Sequence, residues 1–210
     1  MRKFIFMIFF IISFNLYSQN NQNARGTNTI LSDIMSGKNY GFEKDELTSR
    51  INIFTSWKET YKYMRDCKFR FYKRFGRNLT LEFRYRSPYK IFVNNETPII
   101  FTFDGGSETL LTNIQKVIYS PYLMGNVEYY DIEVKYKFEN DGEFDNFANN
   151  SITNIRFNFI NYLNEEDFDD ILMSPSITTN WQDKFSSFGE GMNKLEELKS
   201  SLTSYEVILY

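Results

Sequence analysis

Residues 129–138 read YYDIEVKYKF, and this stretch decides the fold class. Apolar side chains occupy every second position, and charged side chains occupy the positions between them. The apolar set is Tyr130, Ile132, Val134, Tyr136 and Phe138, and the charged set is Asp131, Glu133, Lys135 and Lys137. Successive side chains of a β-strand point to opposite faces, so the pattern predicts a strand with one face in a core and the other in water.

A β-hairpin is predicted upstream, over residues 69–85. Residues 79–86 read LTLEFRYR and alternate in the same way, and Phe69 and Phe71 alternate with lysine and arginine residues. Gly76-Arg77-Asn78 lies between the two stretches and is typical of a turn. The hairpin would place a set of cations on its water-facing side.

Further strands and helices complete the predicted architecture. Strand-like runs occur at residues 51–53, 92–93, 99–103, 109–112, 115–119 and 155–159. Helical spacing occurs at residues 56–64, 143–148, 164–172 and 181–202, where Asn164 fits a helix start and Pro175 a helix end. We therefore expect an α+β fold, with an antiparallel sheet of roughly six to eight strands and a few covering helices, including a C-terminal amphipathic helix.

The N-terminus has the pattern of a secretory signal peptide. Arg2 and Lys3 precede the apolar run FIFMIFFII, and polarity rises abruptly from Ser18 onward. The run is shorter than the roughly 20 apolar residues of a membrane span, so we expect cleavage after residue 18 and no stable membrane span afterwards. An uncleaved N-terminal anchor is the alternative. Residues 19–40 are expected to form a flexible leader that could contain a short helix, and residues 41–210 a single α+β domain.

Histidine is absent from the sequence, and Cys67 is the single cysteine. These absences exclude an intrachain disulfide, Ser-His-Asp and Cys-His nucleophilic systems and the usual zinc ligand sets. Neighbouring cations could make Cys67 reactive, although a small buried apolar residue is the favoured interpretation. We expect no cofactor, no metal site and no catalytic residue, and the composition favours a protein that is not an enzyme.

Charge is divided between two parts of the chain. Residues 58–90 contain eleven Lys or Arg and three Asp or Glu, whereas residues 128–210 contain seventeen acids and six bases. The two parts could neutralise each other within one fold, which we favour, or the basic part could face an anionic partner. In the second case the binding residues would be Lys68, Arg70, Lys73, Arg74, Arg84 and Arg86, with neighbouring aromatic rings available for stacking.

Two acidic stretches are candidates for calcium ligands or for catalytic carboxylates. Residues 165–170 contain five acids, and residues 139–145 contain four. Neither stretch has the glycine offset of a calcium loop, so a helix N-terminus and a turn are the favoured interpretations. A carboxylate-dependent hydrolase would need two acids about 5–10 Å apart, and the sequence does not pair any two of them.

Several local patterns resemble exported proteins of one bacterial group. The apolar N-terminal run ends in Tyr17-Ser18-Gln19-Asn20, a junction similar to that in signal peptides of Bacteroidota. The segments EKDELT (43–48) with TSW (55–57), 99–111 and 151–157 resemble parts of uncharacterised exported proteins of that group. The resemblance implies export, and it assigns no role to any residue because the group carries no established activity.

These patterns together predict an exported soluble protein, periplasmic or secreted, that acts as a non-catalytic binding or envelope-associated domain. Its partner would be an unknown protein or envelope component. A binder of anionic polymers, either glycan or nucleic acid, through residues 62–90 is the first alternative. A carboxylate-dependent hydrolase is the second.

Overall fold

The computed structural model describes residues 25–37, 39–44, 50–62, 65–115 and 117–206. The expected signal peptide, residues 1–18, lies outside these ranges. Among the described residues, no helix is both long enough and apolar enough to cross a membrane.

Eleven antiparallel strands form one sheet in the described part of the chain. The strands are β1 (Gly41–Lys44), β2 (Ile51–Phe54), β3 (Lys58–Lys62), β4 (Arg65–Arg74), β5 (Leu79–Ser87), β6 (Pro98–Phe103), β7 (Glu108–Asn113), β8 (Ile118–Met124), β9 (Val127–Lys137), β10 (Ile152–Ile160) and β11 (Glu166–Leu172). Their order is β1-β2-β4-β5-β9-β7-β6-β10-β11, with β3 also paired to β4 and β8 to β9. The predicted α+β class with an antiparallel sheet is confirmed, and the strands are more numerous than expected.

Helices occupy residues 25–35 (α1), Asp145–Asn149 (α2) and Pro175–Glu206 (α3), and a 3₁₀ turn at Asp141–Phe144 precedes α2. Ile34 of α1 is completely buried, so the core begins upstream of the domain boundary expected at residue 41. Pro175 begins α3, although the sequence pattern assigned it to a helix end. Proline has no backbone N–H and a fixed φ, so it fits the first turn of a helix, where that N–H would have no partner.

The sheet curls so that its two halves face each other across an aromatic interior. Phe69 on β4 packs edge-on against Phe101 on β6, with ring centres 5.5 Å apart. Phe83 on β5 lies 4.9 Å from Phe157 on β10. All four rings are completely buried, as the alternating sequence pattern predicts for the core-facing positions of half-buried strands.

Helix α3 closes one end of this interior. Phe185 and Phe188 of α3 pack on Phe71 of β4, and Phe144 and Phe147 approach the same ring from the 3₁₀ turn and α2. The four ring centres lie between 4.9 and 6.4 Å from that of Phe71. Three of the four contacts are edge-to-face, a geometry that adds to the free energy gained from burial alone.

The helix predicted over residues 164–172 is wrong, because Glu166–Leu172 forms strand β11 along the edge of β10. Two of its acids are positioned by contacts with β10, its neighbour in the sheet, and with β5, which is not its neighbour. Asp170 accepts two hydrogen bonds from Arg156, at 2.8 and 3.0 Å, and the buried Asp169 accepts one from Tyr85 at 2.9 Å. Pairing with β10 therefore outweighs the local spacing that indicated a helix.

Candidate functional site

The outer side of β4, β5 and β9 carries a band of charged side chains, which we call the charged face. It consists of Lys68, Arg70, Glu82, Arg84, Arg86, Asp131, Glu133 and Lys135. Strand register places these residues in rows across the sheet: Lys68 lies opposite Arg84, and Arg84 lies opposite Glu133. Their alternate neighbours point into the aromatic interior, so the period-two pattern itself creates this face.

All three arginines of the charged face are paired with acids. Nε of Arg84 lies 3.0 Å from Oε2 of Glu133, and Nε of Arg86 lies 2.9 Å from Oδ1 of Asp131. Both pairs join the basic segment 58–90 to the acidic segment 128–210, so the two segments neutralise each other here as the favoured interpretation predicts. Such directly opposite, oppositely charged pairs also help to fix the register of the strands.

Glu82 lies at the centre of a three-residue row. Its carboxylate is 2.7 Å from Nε of Arg70 and 3.2 Å from Nζ of Lys135, and its side chain is largely buried by them. Burial acts to raise the pKa of Glu82, but the hydrogen bonds and charges of Arg70 and Lys135 outweigh it and hold the pKa below its ordinary value. Glu82 is therefore a structural anion and is poorly suited to act as a general acid.

Trp57 lies over the charged face because pairing along β4 is interrupted there. Strand β2 ends at Phe54, and β3 begins at Lys58. Residues 55–57 stand opposite only two residues of β4, since Phe54 pairs with Tyr72 and Lys58 pairs with Phe69. An extra residue of this kind bends a strand and redirects a side chain. The helix predicted over residues 56–64 is thus wrong for residues 58–62, which form β3.

The indole of Trp57 contacts three cations of the charged face. The guanidinium carbons of Arg84 and Arg70 lie 4.6 and 4.8 Å from its ring centre, and Nζ of Lys68 lies 5.6 Å away. Each cation is attracted to the electron-rich face of the ring. Trp57 thus serves as a partly exposed platform for cations.

A groove adjoins the charged face where the β4–β5 turn meets β9. We call it the cationic groove. It has a volume of about 740 Å³ and is lined by Tyr72, Arg74, Gly76, Arg77, Asn78, Thr80, Glu82, Ile114, Gln115, Lys135 and Lys137. Four of these residues are cations, and Glu82, the single acid among them, is already bound to Arg70 and Lys135.

Arg74 and Arg77 give the cationic groove its unbalanced charge. Both side chains are exposed, and no carboxylate of the described residues lies within 4.0 Å of either guanidinium. Arg74 is held over the ring of Tyr72, with its guanidinium carbon 5.4 Å from the ring centre. Lys137, by contrast, pairs with Glu139 at 2.7 Å. An anionic ligand would therefore meet its least compensated positive charge at the two arginines.

The six predicted binding residues do not all share one surface. Lys68, Arg70, Arg84 and Arg86 belong to the charged face, and Arg74 belongs to the cationic groove beside it. Lys73 lies on the opposite side of β4, where it is almost completely buried. Its Nζ atom is 3.2 Å from Oε1 of Glu196 on α3. Lys73 therefore connects the sheet to the helix and is inaccessible to a polymer.

The sequence interpretation missed Arg77, Lys135 and Lys137. Arg77 was assigned only to a turn. The two lysines were assigned to the water-facing side of residues 129–138, and that assignment is correct. What local pattern did not reveal is the pairing of β5 with β9, which brings Lys137 opposite Thr80 and so beside the β4–β5 turn.

Cys67 lies under a smaller depression at the other end of the charged face. The depression has a volume of about 140 Å³, and Lys68, Arg84 and Asp131 are among its lining residues. Cys67 is only 2 % exposed, and burial raises the pKa of its thiol to about 12. The thiol is therefore protonated at neutral pH and is a poor nucleophile. Among the described residues, no three Cys, Asp or Glu side chains are grouped so that they could hold a metal ion.

Comparisons of the chain with protein-family models, with curated proteins and with solved structures gave no match. Function is therefore argued from the charged face and its grooves alone.

Proposed function

We propose that this protein is an exported, non-catalytic binding domain whose ligand is an anionic polymer. The polymer would be an acidic glycan or a nucleic acid. It would lie in the cationic groove and continue along the charged face. The observation that carries the proposal is the pair Arg74 and Arg77, two exposed arginines without a carboxylate partner among the described residues.

The distribution of compensated and uncompensated charge supports a binding site at the groove. Arg84 and Arg86 already pair with acids, so an incoming anion would gain less from them. Arg74 and Arg77 have no carboxylate partner among the described residues, so an anion can bind them without breaking an ion pair. The ring of Trp57 is partly exposed on this surface and offers a stacking position that does not depend on ligand sequence, whereas the ring of Tyr72 is buried under Arg74.

The location in the cell is part of the proposal. The N-terminal pattern of a short cationic segment, an apolar run and a polar boundary supports export to the periplasm or beyond. The resemblance to exported proteins of Bacteroidota points the same way. The partner would then be a component of the envelope or of the surroundings of the cell.

Binding can be tested with two labelled probes, heparin and a single-stranded oligonucleotide, by fluorescence anisotropy over a range of salt concentrations. We expect affinity to fall steeply with salt, because each neutralised charge releases a counterion. The double variant Arg74→Gln/Arg77→Gln should bind about tenfold more weakly or worse, with a shallower salt slope. The control for net charge is Lys194→Gln/Lys199→Gln, which removes two cations from α3 that pair with acids.

Two results would overturn the proposal. One is the absence of binding to either probe at low salt. The other is equal loss of affinity in the groove variant and in the α3 control, since that would reflect net charge without a site. A hydrolytic activity abolished by a single carboxylate substitution would contradict the non-catalytic part.

A further inference from the structure

A second groove lies on the other half of the sheet, on the outer side of β6, β10 and β11. We call it the Phe168 groove. It has a volume of about 690 Å³ and is lined by Asn94, Asn95, Glu96, Thr97, Pro98, Ile100, Arg156, Asn158, Phe159, Ile160, Glu166, Asp167 and Phe168. It shares no residue with the charged face or the cationic groove. Its volume falls within the range of sites that enclose small organic ligands.

One of the residues lining the Phe168 groove is an exposed aromatic ring on the edge strand β11. Phe168 is 53 % exposed, although it lies on a paired strand opposite Asn158. The guanidinium carbon of Arg156 lies 4.6 Å from the centre of its ring. The ring of Phe168 is therefore both accessible from solvent and in contact with a cation on one side.

Arg156 is itself held in place by Asp170. Its Nε and Nη2 atoms donate to the two carboxylate oxygens of Asp170 at 2.8 and 3.0 Å, and the amide of Asn154 donates to the same carboxylate at 3.1 Å. This bidentate arrangement fixes the plane of the guanidinium. The remaining N–H groups of Arg156 thus stay available at a defined place beside the ring.

One wall of the groove is a strained turn. Glu96 has a φ of 69°, in the left-handed region that non-glycine residues rarely adopt; among the described residues Asn164 is the other non-glycine residue there, and three turns use glycine. The turn is held by the amide of Asn113, which donates to the carbonyl oxygen of Asn94 at 3.0 Å. Strain of this kind persists where the surrounding structure imposes it, and such residues concentrate at ligand sites.

We propose that the Phe168 groove binds an uncharged sugar ring of an oligosaccharide. The open side of Phe168 offers an apolar surface for the C–H face of a pyranose. Asn158, Arg156 and the carboxylates at the rim offer the mixture of donors and acceptors that adjacent hydroxyl groups require. An anionic sugar is disfavoured because Glu96, Glu166 and Asp167 line the groove and Arg156 is already paired.

The inference is independent of the anionic-polymer proposal, and the two sites predict different behaviour. Sugar binding at the Phe168 groove should change little with salt, because no counterions are released. The variant Arg74→Gln/Arg77→Gln should keep full sugar affinity. A protein with both sites could hold an acidic polymer on one side and a neutral glycan on the other.

The test uses three uncharged probes, cellotriose, maltotriose and triacetylchitotriose, titrated by calorimetry and by amide chemical shifts of the isotope-labelled protein. We expect at least one probe to bind, and Phe168→Ala to weaken it about tenfold or more. Leu172→Ala is the matched control. Leu172 lies on the same strand and the same side, is 80 % exposed, and is outside the groove. Asn158→Ala is a second groove variant and should also weaken binding.

Three outcomes would overturn the proposal. The first is that no probe produces a heat or a shift change at about 10 mM, a concentration well above the millimolar affinities of weak specific sites. The second is that Phe168→Ala and Leu172→Ala have the same effect on sugar binding. The third is that trilysine, used as a competitor, binds the groove more tightly than any sugar and is displaced by salt, because the occupant would then be a cationic peptide. Melting temperatures of all variants, compared with that of the unaltered protein, separate loss of binding from loss of the fold.

Discussion

The Nζ atom of Lys73 on β4 lies 3.2 Å from Oε1 of Glu196 on α3, and this ion pair links the core side of the sheet to the C-terminal helix. Lys73 is 2 % exposed, whereas Glu196 reaches solvent. Burial acts to raise the pKa of Glu196, but Lys73 and then Lys199 outweigh it and lower the pKa below its ordinary value. The carboxylate of Glu196 on α3 therefore stabilises the positive charge of Lys73.

Replacing Glu196 by Gln should destabilise the protein, because the ammonium of Lys73 would lose a charged partner in a buried position. We expect a loss of about 1–3 kcal/mol in the free energy of unfolding, measured by urea denaturation at pH 7. Glu197→Gln is the control, since Glu197 is exposed on the same helix. Equal stability of the two variants would mean that the ion pair contributes nothing.

The row formed by Glu82, Arg70 and Lys135 predicts a loss of stability in acid. The pKa of Glu82 is lower in the folded protein than its ordinary value of 4.5, so the stabilisation is complete above about pH 4.5 and disappears as the pH falls through the folded value. Glu82→Gln should therefore reduce stability by about 1–3 kcal/mol at pH 7 and by progressively less as the pH falls below about 4.5. Urea denaturation over a series of pH values would measure the difference.

Glu133→Gln provides the contrast for this prediction. Glu133 pairs with Arg84 at a more exposed position, where ion pairs contribute about 0–1 kcal/mol. Equal stability losses of the two glutamine variants at pH 7 would show that the ion pairs of Glu82 contribute no more to stability than the ion pair of Glu133.

From the burial of Lys58 we expect the free energy of unfolding to rise at alkaline pH. Its side chain is almost fully buried beside the ring of Phe185, with Nζ 3.0 Å from the hydroxyl of Ser56. Burial, and then the charge of Lys184, lowers the pKa of Lys58 from 10.5 to about 8. Between these two values the unfolded chain binds a proton that the folded protein does not, so the free energy of unfolding increases with pH across this window.

Lys58→Met should therefore stabilise the protein below pH 8, where the buried charge is present, and the advantage should shrink towards pH 9.5. Thermal unfolding of both proteins from pH 7 to 9.5 measures this difference. Lys194→Met, at a partly exposed position of α3, is the control for removing a lysine. Parallel curves for the Lys58 variant and the unaltered protein would contradict the prediction.

Two glycines of α3 should respond oppositely to alanine. A Cβ atom on Gly191 would lie 2.7 Å from Cζ of Tyr40, whereas one on Gly189 would lie 3.8 Å from the nearest atom of Phe144. Gly189→Ala should stabilise the helix by about 0.5–1 kcal/mol. Gly191→Ala should displace the ring of Tyr40 and destabilise the protein by about 1 kcal/mol or more.

A double-mutant cycle checks this explanation. In a Tyr40→Ala background, where the ring is absent, Gly191→Ala should become as favourable as Gly189→Ala. Persistent destabilisation by Gly191→Ala in that background would show that the contact with Tyr40 is not the cause.

The half-buried strands were predictable from sequence because alternation is a local property. Residues 79–86 and 130–138 contain it and form β5 and most of β9, although Tyr130, predicted to face the core, is only partly buried and Tyr129 is buried instead. Strand β11 was not predictable in this way, because acids followed by Phe168, Ile171 and Leu172 also fit the start of a helix. Asp170 meets Arg156 because β11 pairs with β10, and the local pattern of residues 164–172 does not reveal that pairing.

The candidate sites depend even more on pairing between distant segments. The charges of the hairpin were evident from residues 68–86, but their acid partners Glu133 and Asp131 come from another part of the chain. Sequence pattern could not reveal which arginines would remain without an acid. It also gave no sign of the Phe168 groove, since the turn at Glu96 and the ring of Phe168 are brought together only by the pairing of β6, β10 and β11.

Helix α3 has a consequence for the order in which the protein can reach its native state. Ribosomes release the amino-terminal end first, so β4 and β9 emerge well before Phe185 and Phe188 do. Until Phe185 and Phe188 have been synthesised, α3 cannot cover Phe71, and the nascent chain would expose apolar surface at this end of the aromatic interior. The aromatic interior can therefore be closed only after residues 175–206 have been synthesised.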